Sequence, residues 1–239
     1  MENKFNAIII GATGAVGREL VDYLLKSNKY GKIVVFVRRI IDRWVNLKDE
    51  EKKILKIIKI DNLDFLGGTK EEILDKLGNE NVQFDVVFNV LGSRVKMGDE
   101  EFRKVDFTYV VNSAEMCVKL NIPHFSHCSA MGADKSSWFL YNRVKGEAEE
   151  EEMKKNIKYI SIFRPGGIVE RDNDDRFLEK IMKFIPFLPR ISAKDLACAM
   201  FNDDLNYQLS EKKEEKKDRF NNEEILKIVE KNKNTGNKK

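Results

Sequence analysis

Two hydrophobic patterns alternate along this chain. Short, largely apolar runs occur near 5–10, 32–37, 54–60, 84–89 and 159–163, and another short strand-like run, 124–128, follows Pro123. Between them lie longer stretches in which apolar residues return every three or four positions. Val16, Leu20, Val21, Leu24 and Leu25 share one such face, and Phe102, Val105, Tyr109, Ala114 and Cys117 another. The short runs predict strands buried on both faces, and the long ones predict amphipathic helices near 15–27, 69–77, 100–120 and 137–155. Strand and helix in strict alternation predict a parallel, doubly wound α/β sheet with helices on both faces. Ligands of such sheets sit at the carboxyl ends of the strands.

Beyond residue 170 the alternation fades. Residues 176–184 have a helical pattern, 186–189 a proline break, and 193–201 a short helix. The run Glu211-Lys-Lys-Glu-Glu-Lys-Lys-Asp218 predicts a solvated loop or helix face. Residues 220–231 form a last amphipathic pattern through Ile225, Leu226, Ile228 and Val229, and the polar end from Lys231 is expected to be disordered. Residues 42–53 are polar and are expected to be irregular. The domain expectation is therefore one α/β unit over 1–210, with substrate-region elements at about 166–205. Residues 211–239 would carry a charged insert, a short helix and the tail.

The first strand leads into the most informative segment, Gly11-Ala-Thr-Gly14-Ala-Val-Gly17. A buried strand that turns through glycines into a helix presents free N–H groups and the positive end of a helix dipole to a pyrophosphate. Gly11, Thr13, Gly14, Ala15, Val16 and Gly17 are the candidate phosphate residues. After the second strand, where binders of NAD usually place an acid, stands Arg38-Arg39. A guanidinium can fork onto a 2′-phosphate, which an acid would repel, so NADP(H) is the expected cofactor. Asp61 and Asn62, past the third strand, are candidates for the adenine edge. Leu91, Gly92 and Ser93 end the fourth strand, and Pro165 and Gly166 the sixth.

Tyr141-Asn-Arg-Val-Lys145 places a phenol and an ammonium one turn apart on one helix face. A neighbouring cation lowers a phenol's pKa and lets it exchange a proton nearer neutrality. Ser129, at the end of the fifth strand, is the candidate hydroxyl for polarising a substrate oxygen. Tyr141, Lys145 and Ser129 are thus the candidate catalytic residues. Tyr141 and Lys145 also face the cofactor.

Composition narrows the picture further. With 43 basic and 40 acidic residues the net charge is +3, which gives no general pull toward nucleic acid. Cys117, Cys128 and Cys198 are widely spaced, which indicates a reducing compartment without structural disulfides. No apolar run approaches the ~20 residues of a membrane span. A cytoplasmic location is expected, with the basic tail weakly compatible with nuclear entry. His124 and His127 do not predict a metal pair, because three steps along a strand put them on opposite faces; His127 is a candidate border of the cofactor pocket. Trp138 and Phe139 read as packing at a helix start, with a substrate-flanking role the alternative. Phe184–Arg190 reads equally as lid, partner surface or core.

Together GATGAVG, VRR, the Leu-Gly-Ser end of strand four, YxxxK and Phe163-Arg-Pro-Gly166 resemble the short-chain dehydrogenase/reductase superfamily. Gly132-Ala-Asp-Lys-Ser-Ser-Trp-Phe-Leu-Tyr141 followed by Val144-Lys-Gly-Glu147 resembles its atypical branch of Tat-interacting oxidoreductases, as do Phe102–Asp106 and Ser113-Ala-Glu115. The resemblance covers roughly 5–205. It implies a Rossmann-type domain with bound NADPH, and Tyr141 and Lys145 at the nicotinamide end, with the lysine also holding the ribose. It also implies hydride transfer to a carbonyl or conjugated double bond of a small molecule. The branch usually has Ser-Ser-Lys-Gly-Ala after strand five; this chain has Ser129-Ala130-Met131-Gly132-Ala133. The wider superfamily often has asparagine where Asp106 stands. The branch's regulatory interactions supply a rival reading, an NADPH-binding scaffold with little turnover and with protein partners or a homodimer. Epimerase or dehydratase chemistry on a nucleotide sugar shares the fold but ranks last, because little chain remains after 165 to hold the sugar.

Overall fold

The computed structural model describes residues 4–78, 82–93, 98–169 and 189–236. A seven-stranded parallel sheet carries the chain. Its strands are β1 (Phe5–Ile10), β2 (Tyr30–Val37), β3 (Leu55–Lys59), β4 (Val86–Asn89), β5 (His124–Cys128), β6 (Tyr159–Arg164) and β9 (Lys216–Asn221), in the order β3-β2-β1-β4-β5-β6-β9. Two short strands, β7 (Gly167–Val169) and β8 (Arg190–Ser192), pair separately. The strand order reverses between β1 and β4, so the crevice at their carboxyl ends is the topological switch point.

The β1, β2 and β4 runs are short and largely apolar because both faces of the sheet are covered, and β5, equally buried, carries the polar His124, Ser126 and His127. On one face α1 (Ala15–Lys26), α7 (Ala193–Leu209) and α8 (Asn222–Gly236) pack through Leu20, Leu24, Leu196, Met200, Ile225 and Val229. On the other lie α3 (Lys70–Leu77), α5 (Tyr109–Leu120) and α6 (Leu140–Met153), with Ile73, Leu77, Met116 and Cys117 in that core. A sheet with helices on both faces is what the alternating pattern predicts.

Four segments differ from the sequence reading, and the first is simple: the short helix expected at 193–201 runs on to Leu209 as α7. Residues 42–53 are not irregular: a turn of 3₁₀ helix at Asp42–Trp44 buries Trp44, and α2 (Asp49–Ile54) follows, its start closed by the Glu51 carboxylate accepting the Lys48 backbone N–H at 2.9 Å. A capped helix that buries no residue of its own leaves no apolar periodicity to read. The charged run ends in β9 rather than in a solvated loop. β9 pairs with β6 from Tyr159–Lys216 to Arg164–Asn221, and Phe220 packs on Phe163 at 5.0 Å. An edge strand tolerates lysines because only one side of it is paired. The tail is helical as far as Gly236, because α8 continues through residues expected to be disordered. The pattern at 176–184, and most of Phe184–Arg190, lie outside the described residues.

Candidate functional site

The predicted site residues gather at the carboxyl ends of the strands. Gly11 follows β1 with φ +90°, and a Cβ there would lie 2.8 Å from the Val90 carbonyl carbon just past β4. A Cβ on Gly17 would press on the Gly11 carbonyl and sit 2.7 Å from the Ala12 Cα. These two glycines let the loop fold tightly over the switch point. Gly14, the N-cap of α1, offers no side chain to its helix, and the first turn holds no acid. The N–H groups of Ala15, Val16 and Gly17 therefore begin a helix whose positive end meets no protein carboxylate in that turn. Thr13 is half-buried beside them. This cradle suits a pyrophosphate.

Arg38 and Arg39 follow β2 and are exposed. Asp61 and Asn62 follow β3, also exposed, and Asn62 Oδ1 accepts the Asp64 backbone N–H at 2.9 Å. Leu91, Gly92 and Ser93 follow β4; the Leu91 N–H is held by Asn89 Oδ1 at 3.1 Å. Asn89 is fully buried, and its Nδ2 has no hydrogen-bond partner among the described residues. It is a donor at the floor of the crevice that the sequence reading passed over. Pro165 is buried and Gly166, half-buried, donates its N–H to Asn222 Oδ1 at 2.9 Å.

The reactive centre forms where α6 crosses the chain leading into α5. That chain begins as α4 (Asp99–Arg103), opens into a π turn at Lys104–Thr108, and resumes as α5. π turns inside helices are frequent at functional sites because they re-aim one side chain. Here Asp106 is fully buried and lies 2.8 Å from Lys145 Nζ. Ser93 donates to the other Asp106 oxygen through its backbone N–H at 2.9 Å and its hydroxyl at 2.5 Å. Burial of Lys145 works against its charge, but Asp106 outweighs that, and the ammonium is held above the ordinary lysine range. Lys145 is thus a fixed cation. Tyr141, one turn earlier on α6, stacks on Phe102 with ring centres 5.8 Å apart and remains 37% exposed. The backbone of Asp134 lies so close to Gly146 that a Cβ there would be 2.6 Å from the Asp134 Cα, which pins the loop before α6 against the helix.

Ser129 is placed differently from Tyr141 and Lys145. It is 4% exposed, and its hydroxyl donates to Glu149 Oε1 at 2.5 Å. Glu149 also accepts from Arg164, through Nε at 3.0 Å and Nη2, and from Arg219 Nε at 3.1 Å. This buried carboxylate cluster was not foreseen. Its one sequence signal is the four-residue step that puts Tyr141, Lys145 and Glu149 on one face of α6.

The histidines face opposite ways. His124 Nδ1 lies 2.7 Å from Asp204 on α7, and His127 Nδ1 2.9 Å from Glu152 on α6. His127 is fully buried. Burial raises the Glu152 pKa, with His127 opposing it. Trp138 and Phe139 do not pack the helix start: they are 96% and 76% exposed.

A glycine cradle at the switch point, an uncapped α1 and a buried lysine–aspartate pair beside an accessible tyrosine now stand together. The family model described as NAD(P)H-binding matches residues 11–202. The chain belongs to this NAD(P)H-binding family. Among its relatives, the protein HTATIP2 of Rattus norvegicus is 35% identical over 170 residues, covering 71% of this chain and 64% of that protein. The chain thus matches less than two thirds of the length of that relative. The protein "FMP52, mitochondrial" of Candida albicans is 29% identical over 166 residues, 69% of this chain and 67% of its own. Among solved structures, ElxO with NADP bound superposes with a TM-score of 0.67 at 15% identity, over 94% of this chain and all of that one. The UDP-N-acetylglucosamine 4-epimerase of Bacillus cereus gives 0.62 at 17%, over 91% and 78%. These structures share the fold, a Rossmann-like parallel sheet flanked by helices. The atypical-branch resemblance read from the sequence agrees with the HTATIP2 match. No helix among the described residues is long and apolar enough to cross a membrane.

Proposed function

We propose that this chain is an NADPH-dependent oxidoreductase that reduces a carbonyl or conjugated double bond of a small molecule, with Tyr141 as proton donor. The buried Lys145–Asp106 pair beside an accessible Tyr141 carries this reading. Bound in the glycine cradle, NADPH supplies the hydride. The α1 N–H groups and the Gly11–Gly17 turn hold the pyrophosphate, Arg38 and Arg39 the 2′-phosphate, and Asp61 and Asn62 the adenine. Leu91, Gly92, Ser93, Pro165 and Gly166 line the crevice toward the nicotinamide end. Neither arginine is engaged by another side chain among the described residues, so both guanidiniums are available to an incoming phosphate. Lys145 stays protonated, stabilises the phenolate left when Tyr141 gives up its proton, and orients the ribose. Asp106 keeps the ammonium charged in its buried position, and Ser93 fixes Asp106. Ser129 polarises the substrate oxygen once its hydroxyl turns from Glu149 to the substrate. A single nucleotide-binding domain whose sheet and helix layer run on past 210 through β9 and α8, with substrate elements at 166–205, serves this reading, as does a cytoplasmic setting; the FMP52 relatives carry a mitochondrial name.

One observation favours the rival, an NADPH-binding regulatory protein with negligible turnover. The Ser129 proton is committed to a carboxylate that Arg164 and Arg219 also hold, and Ala130 stands where the branch has its second serine. Nicotinamide fluorescence titrations with NADPH and NADH, on the wild type and Arg38→Ala, test the cofactor. Micromolar NADPH binding that weakens in the variant, with poor NADH binding, supports NADP specificity. Tyr141→Phe should then abolish reduction of a carbonyl substrate while leaving NADPH affinity intact. Retained turnover in that variant refutes the mechanism.

A further inference from the structure

Neighbouring large apolar side chains left in water mark interaction surfaces more often than isolated ones do. The loop between β5 and α6 carries such a group. Trp138 is 96% exposed, Phe139 76% and Met131 38%, and Tyr141 follows at 37%. The loop is not loose. Arg143 Nη1 donates to the Ser137 and Trp138 carbonyls at 2.9 and 3.2 Å, and the Phe139 N–H donates to Ser137 Oγ at 3.2 Å. The Asp134 N–H reaches the Asn142 carbonyl at 3.0 Å, and Asp134 Oδ1 holds both the backbone N–H and the hydroxyl of Ser136. These hydrogen bonds fix the backbone that presents the aromatic side chains, some within the loop and the others anchored on α6 residues Asn142 and Arg143. Phe139 is itself the N-cap of α6, so the apolar side chains sit at the threshold of the turn that carries Tyr141. Rigid, low-entropy aromatic surface held in place before a ligand arrives is what recognition of an apolar body requires.

We propose that Trp138, Phe139 and Met131 form a preorganised apolar ridge that receives the hydrocarbon body of a hydrophobic ketone or aldehyde, whose carbonyl then lies against Tyr141. This rests on the reading of Tyr141 as proton donor and names the substrate class of that same site. The reaction is the two-electron reduction of C=O to an alcohol: the carbonyl carbon takes hydride from NADPH, which becomes NADP⁺, and the oxygen takes the Tyr141 proton, which solvent replaces. A ridge of this kind favours alkyl or aryl bodies over sugars. Exposed indole and phenyl faces gain from covering CH₂ groups and offer few hydrogen bonds to hydroxyls.

The test uses the full-length protein and the methyl ketones 2-butanone, 2-hexanone and 2-octanone. With NADPH, kcat/KM should rise roughly two- to fourfold for each added methylene, the range for half to full burial of a CH₂. Trp138→Ala and Phe139→Ala should flatten that dependence. Both residues are exposed, so neither change threatens folding. A second readout needs no turnover. Of the two tryptophans, Trp44 is 3% exposed, so a ligand-dependent change in emission reports on Trp138. Titrating 2-octanone into the NADP⁺ complex should shift the emission to the blue and saturate, in the wild type and in Tyr141→Phe alike, and Phe139→Ala should weaken it several-fold. A saturating shift in a Tyr141→Phe protein that still turned over would leave the ridge standing and remove the tyrosine mechanism. A kcat/KM independent of chain length, or the absence of a saturable shift, overturns the ridge whatever Tyr141 does. So does a blue shift produced only by lipid vesicles, or only by a self-association that Trp138→Ala abolishes.

Discussion

Replacing Asp106 by asparagine keeps its shape and removes its charge. The consequence follows from where Lys145 sits. The ammonium is 3% exposed, and Asp106 is the ion-pair partner assigned to it, 2.8 Å away. In the native protein the pair raises the lysine pKa despite burial. Lys145 is therefore protonated in both folded and unfolded chains below about pH 10 and adds no pH dependence to stability between about pH 7 and 9. In Asp106→Asn, burial, the largest influence, loses its main opponent, and the folded-state pKa falls. The folded protein must then either keep a buried, uncompensated charge or release the proton. Releasing it at pH 7 from a group with a free pKa of ~10.4 costs about 4–5 kcal/mol at roughly 1.4 kcal/mol per unit. Leaving it unpaired costs roughly 3–5 kcal/mol. Both routes predict a loss of about 3–5 kcal/mol at pH 7, a large part of a typical domain's stability. The pH signature separates the two routes. Where the folded variant releases the proton, the unfolded chain binds one more, so stability rises with pH and the deficit narrows to about 2 kcal/mol by pH 9; where it keeps the buried charge, the deficit stays flat. Urea unfolding at pH 7, 8 and 9 reads this directly, and adding Lys145→Met should restore a flat profile. A deficit under about 1 kcal/mol at pH 7, or one that persists when Lys145→Met is added, would refute the account of Lys145 as a cation held in place by Asp106.

Other residues give similarly direct expectations. Gly17→Ala would force a Cβ against the Gly11 carbonyl and within 2.7 Å of the Ala12 Cα, so NADPH affinity should fall roughly tenfold or more in a fluorescence titration; unchanged affinity would show that the turn is not tightly closed. Asp204 accepts from Tyr30 and Gln208 and pairs with His124, all buried, so Asp204→Ala should cost about 3–5 kcal/mol in urea unfolding, and a loss below about 1 kcal/mol would mean that the network does not tie α7 to the sheet. Ile225 on α8 is fully buried, and Ile225→Ala should cost roughly 2–5 kcal/mol by thermal or urea unfolding; a neutral change would mean that α8 does not cover the core.

β1 and β2 were readable because burial on both faces leaves unbroken apolar runs, as in Ile8–Ile10 and Ile33–Val37. The helices α1 and α5 were readable because one face meets the core. β9 was not, because an edge strand that buries little carries Lys216, Lys217, Asp218 and Arg219, a composition that in isolation looks like solvent-facing chain. At the site, Tyr141 and Lys145 declare themselves through spacing on one helix, and Gly11 to Gly17 through a strand–turn–helix boundary. Asp106 showed only as a departure from a family pattern; its inward aim comes from a π turn, which has no local sequence signature. The Glu149 cluster joins side chains up to 70 residues apart, and only the folded sheet brings Arg164 and Arg219 to one carboxylate.

The seventh strand also has a consequence for how the chain is made. β6 is complete at Arg164, yet its outer partner begins at Lys216. At about 5–20 residues per second of synthesis, β6 waits on the order of 3–10 s for that partner to be translated. During that interval Tyr159, Ile160 and Phe163 lie on an unpaired parallel edge, the kind of surface that invites association between nascent chains. The lysines that disguise β9 in the sequence then cap this edge in the finished protein, so a strand made some fifty residues after β6 ends its period of risk.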